Sequence, residues 1–398
     1  MSSRWQTKQH EIGLILSGGG ARAAYQVGVL KAIAKLLPPE RRFPFRIIVG
    51  TSAGAINATA LAAEPSGFHA GIHQLELVWK TLHCHSIYRS DFAGVSKQIL
   101  YWLASFFLGG MGRRNPRSFL DNSPLKGFLQ KVITFRNIQA SVAADNLKAV
   151  SVTALGYSSG QSVCFYEGDP CHNWQRAQRV GVSCTLSLEH LLASSAIPLV
   201  FPAARIHREY FGDGSIRQHA PVSPALHFGA SKVLVIGVSP HARAPERHKT
   251  SSHPSLAQVA GQLLNGTFLD SLENDLERLQ VLNRLLDLIP ENKLEEAGIP
   301  MRKVDVLLVA PSKPLEALAA QHSMHFPWAV RYLLRGIGAL RRGGSVLASY
   351  LLFEPPYTRD LIRLGYQDAM QQKEEILAFM GVEAPASTTQ ENTFSGAL

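Results

Sequence analysis

The chain has 398 residues, of which 46% are hydrophobic and 18% charged, so it can bury a sizeable core and is not a disordered tail. Its 40 Lys and Arg residues exceed its 30 Asp and Glu residues, and the net charge of +10 leaves nucleic acid and an anionic membrane open as partners. The first ten residues lack the apolar segment of a secretory signal, and four scattered cysteines indicate neither a disulfide framework nor a zinc site, which predicts a cytoplasmic protein.

Two short apolar runs near the N-terminus each end in a glycine-rich turn. Residues 12–16 (IGLIL) lead into a helical pattern over 21–37, and residues 45–49 (FRIIV) lead into a helical pattern over 55–63. The unit is long enough for a βαβ crossover. It therefore predicts two parallel neighbouring strands that end at the same edge of a sheet.

The rest of the chain continues the alternation of strands and helices. An amphipathic leucine pattern predicts a helix over 269–286, and residues 327–380 are mostly helical in pattern. Residues 382–398 are polar and unperiodic, which predicts a disordered tail. Further strand patterns lie at 147–155, 162–166, 205–211, 232–238 and 304–310. Together these elements predict an α/β fold.

The motif G-x-S-x-G occurs twice. Ser158 lies between two strand patterns, where Gly and Ser are typical of a hairpin loop. Ser52, in Gly50-Thr51-Ser52-Ala53-Gly54, lies between a strand and a helix, which is the context of a nucleophile elbow. The structural alternative for Ser52 is a serine that caps the helix N-terminus.

The first glycine turn, Gly18-Gly19-Gly20-Ala21-Arg22, is expected beside that elbow. Side chains this small let backbone amides approach a developing negative charge, so the turn predicts an oxyanion hole. A dinucleotide-binding fingerprint is disfavoured, because no acidic residue follows at a strand end about 20 residues on. For Arg22 three roles stay open: steadying the loop, meeting an anionic head group, or lying in solvent.

A base for the serine is offered by Gly212-Asp213-Gly214, which follows the strand pattern at 205–211. A D-G pair alone is usually only a turn. With the two upstream motifs present, Asp213 becomes the candidate general base.

These three motifs, in this order, resemble those of the patatin-like phospholipase family, and Ala193–Pro202 (ASSAIPLVFP) is similar to its usual approach to the aspartate. The resemblance implies a three-layer α/β/α hydrolase with a mostly parallel sheet and a Ser-Asp dyad. Ser52 would be the nucleophile and Asp213 the base. The oxyanion hole would involve Gly18, Gly19, Gly20, Ala21, Arg22 and Ala53, with Gly50, Gly54 and Gly214 supporting the turns.

The resemblance implies a lipid acyl hydrolase of the phospholipase A or lysophospholipase type, with a lipid ester as substrate and neither cofactor nor metal. Two alternatives stay open: a non-catalytic lipid-binding scaffold, and a triad esterase that uses His219 or His227. We expect a catalytic domain over 11–240, a linker over 241–254, a mainly helical region over 255–381 and a tail over 382–398.

Residues 99–108 (ILYWLASFFL) form the longest apolar stretch, too short to span a bilayer. Cations flank it, as they flank an apolar stretch further on, which is typical of a helix lying on an anionic membrane surface. A buried core helix or a lid over the site are the alternatives. The flanking cations are Lys97, Arg113, Arg114 and Arg117, and later Arg331, Arg335, Arg341 and Arg342. No zinc finger or RNA-binding pattern supports nucleic acid, and His83-Cys84-His85 lacks metal-ligand spacing.

Overall fold

A computed structural model shows how these elements assemble. It describes residues 11–38, 43–108, 116–168, 173–218, 221–240, 253–267, 271–298, 301–340 and 344–382. Within these ranges, none of the helices is both long enough and apolar enough to cross a membrane.

The strands belong to one mixed sheet. They are β1 (Ile12–Leu16), β2 (Ile47–Thr51), β3 (Ala149–Gly156), β4 (Ser162–Gly168), β5 (Trp174–Arg176), β6 (Arg179–Ser183), β7 (Ala204–Ile206), β8 (Glu209–Asp213), β9 (Lys232–Ile236) and β10 (Asp305–Val309). The order across the sheet is β10-β9-β1-β2-β3-β4-β6-β5, and β8 pairs with both β3 and β7. From β10 to β3 all neighbours are parallel.

Helices cover both faces of this sheet. They are α1 (Ala24–Leu36), α2 (Ala53–Ala62), α3 (Phe68–Thr81), α4 (Cys84–Ile87), α5 (Phe92–Phe107), α6 (Ser123–Val132), α7 (Arg136–Ala143), α8 (Leu188–Ser194), α9 (Ser223–His227), α10 (Leu256–Asn265), α11 (Ser271–Asp287), α12 (Glu291–Glu296), α13 (Leu315–Gln321), α14 (Trp328–Gly336), α15 (Ser345–Leu351), α16 (Pro355–Gln371) and α17 (Lys373–Met380).

Two hydrophobic cores lie on opposite faces of the sheet, because alternate residues of each strand point to opposite sides. Leu14 and Val152 contribute to the larger core, with α1, α2 and α16. Ile15 and Val49 contribute to the smaller one, with α9 and α11. β1, β2 and β3 are buried throughout, as expected of strands covered on both faces. The α/β class and the three-layer architecture with a mostly parallel centre are confirmed.

Strand β3 sets the register of its neighbours. Thr51 of β2 is paired with Thr153, and Asp213 of β8 is paired with Ala154. The end of β2, which contains the start of the first G-x-S-x-G motif, and the end of β8 are therefore paired with adjacent residues of β3.

Two expectations need correction. The single strand expected over 205–211 is wrong: β7 and β8 form an antiparallel hairpin that turns at His207, whose φ is 50°. The first helix begins later than expected, at Ala24, because Gly20–Ala23 forms a 3₁₀ turn. The expected tail and most of the expected linker lie outside the described residues.

The region after residue 255 packs closely on the N-terminal part. β10 pairs in parallel with β9, and α16 crosses α1 where both carry a glycine. A Cβ on Gly28 would lie 2.0 Å from the Ile362 carbonyl oxygen, and one on Gly365 would lie 2.1 Å from that of Tyr25. Only glycine lets the two helices approach so closely.

Candidate active site

Ser52 occupies a strained turn between β2 and α2. Its φ of 55° and ψ of −130° are rare for a residue with a side chain, and such strain is concentrated at functional sites. The flanking glycines are sterically required. A Cβ on Gly50 would lie 2.5 Å from the Ala55 Cα, and one on Gly54 would lie 2.2 Å from the Leu16 carbonyl oxygen. The nearly buried Ser52 thus has the geometry of a nucleophile elbow.

The side chain of Ser52 does not cap α2. Its backbone amide donates to Ser194 Oγ at 2.8 Å, and Ser194 Oγ donates to the Thr153 carbonyl at 2.6 Å. The alternative role left open for Ser52, a serine whose side chain caps the helix, is therefore wrong. The hydroxyl is left available for chemistry, while the backbone of the elbow is fixed to β3.

Asp213 lies at the end of β8 and is fully buried. Its amide donates to the Ala196 carbonyl at 2.9 Å, and its Oδ1 accepts the Ser215 amide at 2.9 Å. A Cβ on the next residue, Gly214, would lie 2.1 Å from the Thr153 carbonyl oxygen. The carboxylate is therefore held rigidly at the edge of β3.

Burial raises the pKa of Asp213 to about 6, against the lowering effect of the Ser52 hydroxyl and of Ser215. Within the described residues, Oδ2 makes no hydrogen bond of full geometry. We interpret the contact between Ser52 and Asp213 as a close approach rather than a formed bond. Such contacts often tighten only when substrate is bound.

The first glycine turn follows β1 and borders the same site. Ser17 Oγ donates to the Ile236 carbonyl at 3.1 Å, and Gln26 Nε2 donates to the Ser17 carbonyl at 2.7 Å, so the start of the turn is anchored on both sides. Gly20 has a φ of 55°, and a Cβ there would lie 2.3 Å from the Tyr350 carbonyl oxygen. The turn is compressed between β9 and α15.

Arg22, the last residue of this turn, is completely buried. Two of the roles left open for it, contact with a head group and a position in solvent, are therefore wrong. Its Nε donates to Ser349 Oγ at 2.8 Å, and its guanidinium lies 4.3 Å from the centre of the Tyr350 ring.

Ser52, Ala53 and Gly20 line one narrow cavity of about 50 Å³. Nearly all of its wall is apolar, formed by side chains of α2, α3 and α6 and of the segment around Ile197. Larger members of this wall are Ile56, Leu75, Trp79, Phe128, Phe201 and Phe353. A serine in the wall of an apolar cavity suits a ligand with a hydrocarbon chain.

Several supporting residues were missed by the sequence reasoning. Ser194 joins the elbow to β3, and its only sequence signal was its place in the phrase Ala193–Pro202. Asn57, on α2, donates to the Ala23 carbonyl at 3.2 Å and accepts from Trp79 Nε1 at 2.8 Å. Thr51 donates to Gln218 at 2.9 Å. No local motif marks Asn57 or Gln218.

The other candidates lie elsewhere. Ser158 is in the exposed β3–β4 hairpin loop, where its amide donates to Glu209, as expected. The His227 ring stacks on Trp174 at 4.2 Å, and His219 lies outside the described residues. Cys84 is buried and His83 contacts Glu354. In the described part of the chain, no group of three acidic, His or Cys side chains could hold a metal.

Comparisons with known proteins agree with this geometry. The model of the patatin-like phospholipase family matches residues 14–226, which confirms the resemblance. A protein of Pseudomonas aeruginosa (strain BWHPSA011 / Pa011) named cGAMP-activated phospholipase is 30% identical over 215 residues, covering 54% of this chain and 55% of the relative. The chain thus matches about half the length of that curated relative.

Two solved structures show weaker likeness. VipD from Legionella pneumophila is 11% identical with a TM-score of 0.33, over 92% of this chain and 67% of that chain. The complex of SpcU with ExoU from Pseudomonas aeruginosa gives 14% identity and a TM-score of 0.26, over 86% of this chain and 70% of that chain. At these scores neither structure bears on the function.

Proposed function

Since the chain belongs to the patatin-like phospholipase family, we propose that it is a lipid acyl hydrolase that cleaves carboxylic esters with Ser52 as nucleophile and Asp213 as general base. One observation carries the proposal. Ser52, strained and with a side chain that does not cap α2, lines an apolar cavity and interacts with a buried carboxylate, Asp213, whose pKa is raised.

In the proposed reaction, ionised Asp213 accepts the Ser52 hydroxyl proton as Oγ bonds to the ester carbonyl carbon. Amides of the glycine turn, with that of Ala53, stabilise the oxyanion. The tetrahedral species collapses, and the leaving alcohol takes the proton from Asp213. Water then gives a proton to Asp213 and attacks the acyl-enzyme, which releases the fatty acid, and the proton returns to Ser52.

The substrate follows from the cavity. Its wall offers almost no polar group to a ligand, so it suits the hydrocarbon of a fatty acyl chain with the ester carbonyl beside Ser52. A phospholipid or lysophospholipid fits this requirement.

Hydrolysis of a p-nitrophenyl ester and of a fluorogenic phospholipid tests the proposal. We expect Ser52→Ala and Asp213→Asn to lose nearly all turnover, while Ser158→Ala keeps wild-type rates as the matched control for a second G-x-S-x-G serine. His219→Ala and His227→Ala distinguish the dyad from a triad: full activity in both variants supports the dyad, and loss comparable to Asp213→Asn in either one supports the triad. Equal turnover in wild type and Ser52→Ala would contradict the proposal and favour the scaffold.

The assay needs arms with and without cGAMP, because the relative from Pseudomonas aeruginosa is named as activated by that nucleotide. We extend this activation to the present chain as part of the proposal. A rise in Ser52-dependent turnover on adding cGAMP supports it. Unchanged turnover in a chain that is already active contradicts it and leaves the hydrolase assignment intact.

We also propose that the enzyme docks on an anionic bilayer through α5 and α14. Helix α5 is not a buried core helix: in it only Gly94 and Val95 are buried, while Phe106 and Phe107 are 87% and 84% exposed. Phe92 of α5 stacks on Trp328 of α14, which also exposes Tyr332. Exposed apolar and aromatic side chains on adjacent helices are typical of a membrane-contacting face.

This face carries exposed cations and is linked by contacts to a segment that lines the cavity. Lys97 and Arg335 are exposed on the two helices, while Arg113, Arg114, Arg341 and Arg342 lie outside the described residues. Trp102 of α5 stacks on Phe119, whose amide donates to the Leu199 carbonyl, next to the cavity-lining segment. Each cation near an anionic surface contributes about 1 kcal/mol.

Vesicle flotation tests the docking face. We expect wild type to float with vesicles of phosphatidylserine and phosphatidylcholine, less so at high salt, and Phe106→Ser/Phe107→Ser to remain at the bottom. Val281→Ser/Leu285→Ser on α11 is the matched control, because these exposed apolar residues lie on the helix that covers the opposite face of the sheet. Equal flotation of both double variants would contradict the docking face.

A further inference from the structure

Arg22, the last residue of the glycine turn, has a charged side chain with no exposed surface. Burying a guanidinium is costly unless partners compensate for the lost water. Among the described residues, none of the partners of its side chain comes from the strands or helices that carry Ser52 and Asp213. They come from the region after residue 255.

Three helices of that region converge on the guanidinium. From α15, Ser349 Oγ accepts from Arg22 Nε at 2.8 Å and the Tyr350 ring lies 4.3 Å away. From α10, Asn265 Oδ1 accepts from Nη1 at 3.4 Å. From α13, Glu316 Oε2 lies 3.7 Å from Nη2 and supplies the opposite charge.

The partners are themselves connected. The Tyr350 hydroxyl donates to the same Asn265 oxygen at 3.2 Å, and Ser349 Oγ donates to the Val346 carbonyl at 2.5 Å. Because Ser349, Tyr350 and Asn265 are held by these bonds, the guanidinium has a defined place and orientation. A planar, multidentate group transmits such an orientation better than a flexible ammonium does.

Arg22 is also bound to the turn itself. Its amide donates to the Gly19 carbonyl at 3.1 Å, within the 3₁₀ turn that starts at Gly20. The backbone of α15 closes on Gly20 from the other side, since the Tyr350 carbonyl fills the place where a Cβ would be. The turn is therefore held by both the side-chain and the main-chain atoms of α15.

We propose that Arg22 is a positioning residue through which α10, α13 and α15 hold the glycine turn in the geometry of an oxyanion hole. The inference rests on the proposed function and deepens it, because it makes turnover depend on the region after residue 255. Donors in an oxyanion hole act only when they are pre-oriented, so a displaced turn lowers transition-state stabilisation and leaves acyl-chain binding unchanged.

The experiment compares wild type with Arg22→Met, Arg22→Lys, Ser349→Ala and Asn265→Ala. Arg22→Met should lower kcat by roughly 10-fold to 100-fold, the effect of a small misplacement of catalytic groups, with KM unchanged. Arg22→Lys should recover part of that loss, because the positive charge remains. The recovery should be incomplete, because lysine lacks the planar guanidinium that binds several partners at once. Ser349→Ala and Asn265→Ala should each lower kcat less than Arg22→Met, and their double variant should lower it further.

Two controls separate positioning from general damage. Ser345→Ala on α15 and Gln262→Ala on α10 remove polar groups from the same helices without touching Arg22, and both should keep wild-type kcat. Amide hydrogen exchange over residues 18–26 should be faster in Ser349→Ala than in Ser345→Ala, with equal melting temperatures. The acid limb of the kcat profile should keep its midpoint, because Asp213 is untouched.

The inference is overturned if Arg22→Met keeps wild-type kcat, or if Ser349→Ala matches Ser345→Ala in both kcat and loop exchange. Failure of the proposed function looks different. Wild type would then show no Ser52-dependent hydrolysis in any arm, while the exchange comparison would still decide whether Arg22 and its partners hold the turn.

Discussion

Asp213 must be ionised to accept a proton, yet its burial opposes ionisation. With its pKa raised to about 6, the carboxylate is protonated in mildly acidic solution. We expect kcat to fall to half its plateau near that pH and to be lost below it. Measuring kcat from about pH 3 to pH 8 checks this, and a midpoint near the ordinary aspartate value of 3.8 would contradict the assignment.

The same carboxylate lowers stability at neutral pH. Between 3.8 and about 6 the folded protein binds more protons than the unfolded chain, so the free energy of unfolding falls as pH rises through this window. Asp213→Asn should therefore be more stable than wild type at pH 8, by at most about 3 kcal/mol. Urea unfolding at pH 8 and pH 4 measures it, and the difference should vanish at the lower pH.

The backbone strain at Ser52 lowers the stability of the folded protein separately from the effect of Asp213. Glycine adopts a positive φ freely, whereas alanine keeps the strain. Ser52→Gly should therefore exceed Ser52→Ala in free energy of unfolding by about 1 kcal/mol, with both inactive. Thermal unfolding of the two variants measures the difference, and equal stability would show that the turn is unstrained.

The positions of Ser52 and Asp213 could be predicted because strand-to-turn chemistry is local in sequence. Ser194 could not, since it contacts Ser52 across 142 residues and a serine in a helix signals nothing by itself. The burial of Arg22 could not be predicted either, because every side-chain partner lies more than 240 residues away.

The crossing of α1 and α16 depends on two glycines. A Cβ on Gly365 would press into the Tyr25 carbonyl, so Gly365→Ala should cost about 1 to 3 kcal/mol of stability. Gly127→Ala on α6 is the control, because a Cβ there meets nothing within 4 Å, and it should stabilise by about 0.5 to 1 kcal/mol. Chemical denaturation of both variants checks the contrast.

Strand existence was easier to predict than strand boundaries. The parallel strands β1, β2 and β9 stand out as short apolar runs because both of their faces are buried. The β7–β8 hairpin was missed because its turn, at His207 and Arg208, contains no glycine, proline or asparagine to mark it. For helix α5 the buried and exposed alternatives both stayed open, since apolar composition alone cannot tell a buried helix from an exposed one.

At the scale of the whole molecule, the division into a catalytic domain and a helical region stays a prediction. The contacts argue that the two parts fold together, since β10 extends the sheet and α16 covers α1. We expect a chain ending at residue 240 to lack cooperative thermal unfolding, whereas one ending at residue 382 melts like the full chain. Circular dichroism of both truncations measures this, and a cooperative melt of the shorter chain would contradict it.

In the proposed docking face, the fold brings part of the net charge of +10 next to the exposed apolar side chains of α5 and α14. Composition left nucleic acid and membrane open, and the exposed cations beside α5 and α14 favour the membrane. The cytoplasmic location expected from the sequence stays a prediction. No composition could have shown that an apolar stretch and a distant amphipathic helix would be adjacent, because that contact depends on the tertiary fold.

Thr51 and Asp213 pair with consecutive residues of β3, so the same strand fixes the positions of both Ser52 and Asp213. The distance between Ser52 and Asp213 therefore does not depend on the number of residues between Ser52 and β3, or between β3 and β8. Insertions and deletions in those intervening segments can therefore accumulate without moving the serine relative to the carboxylate.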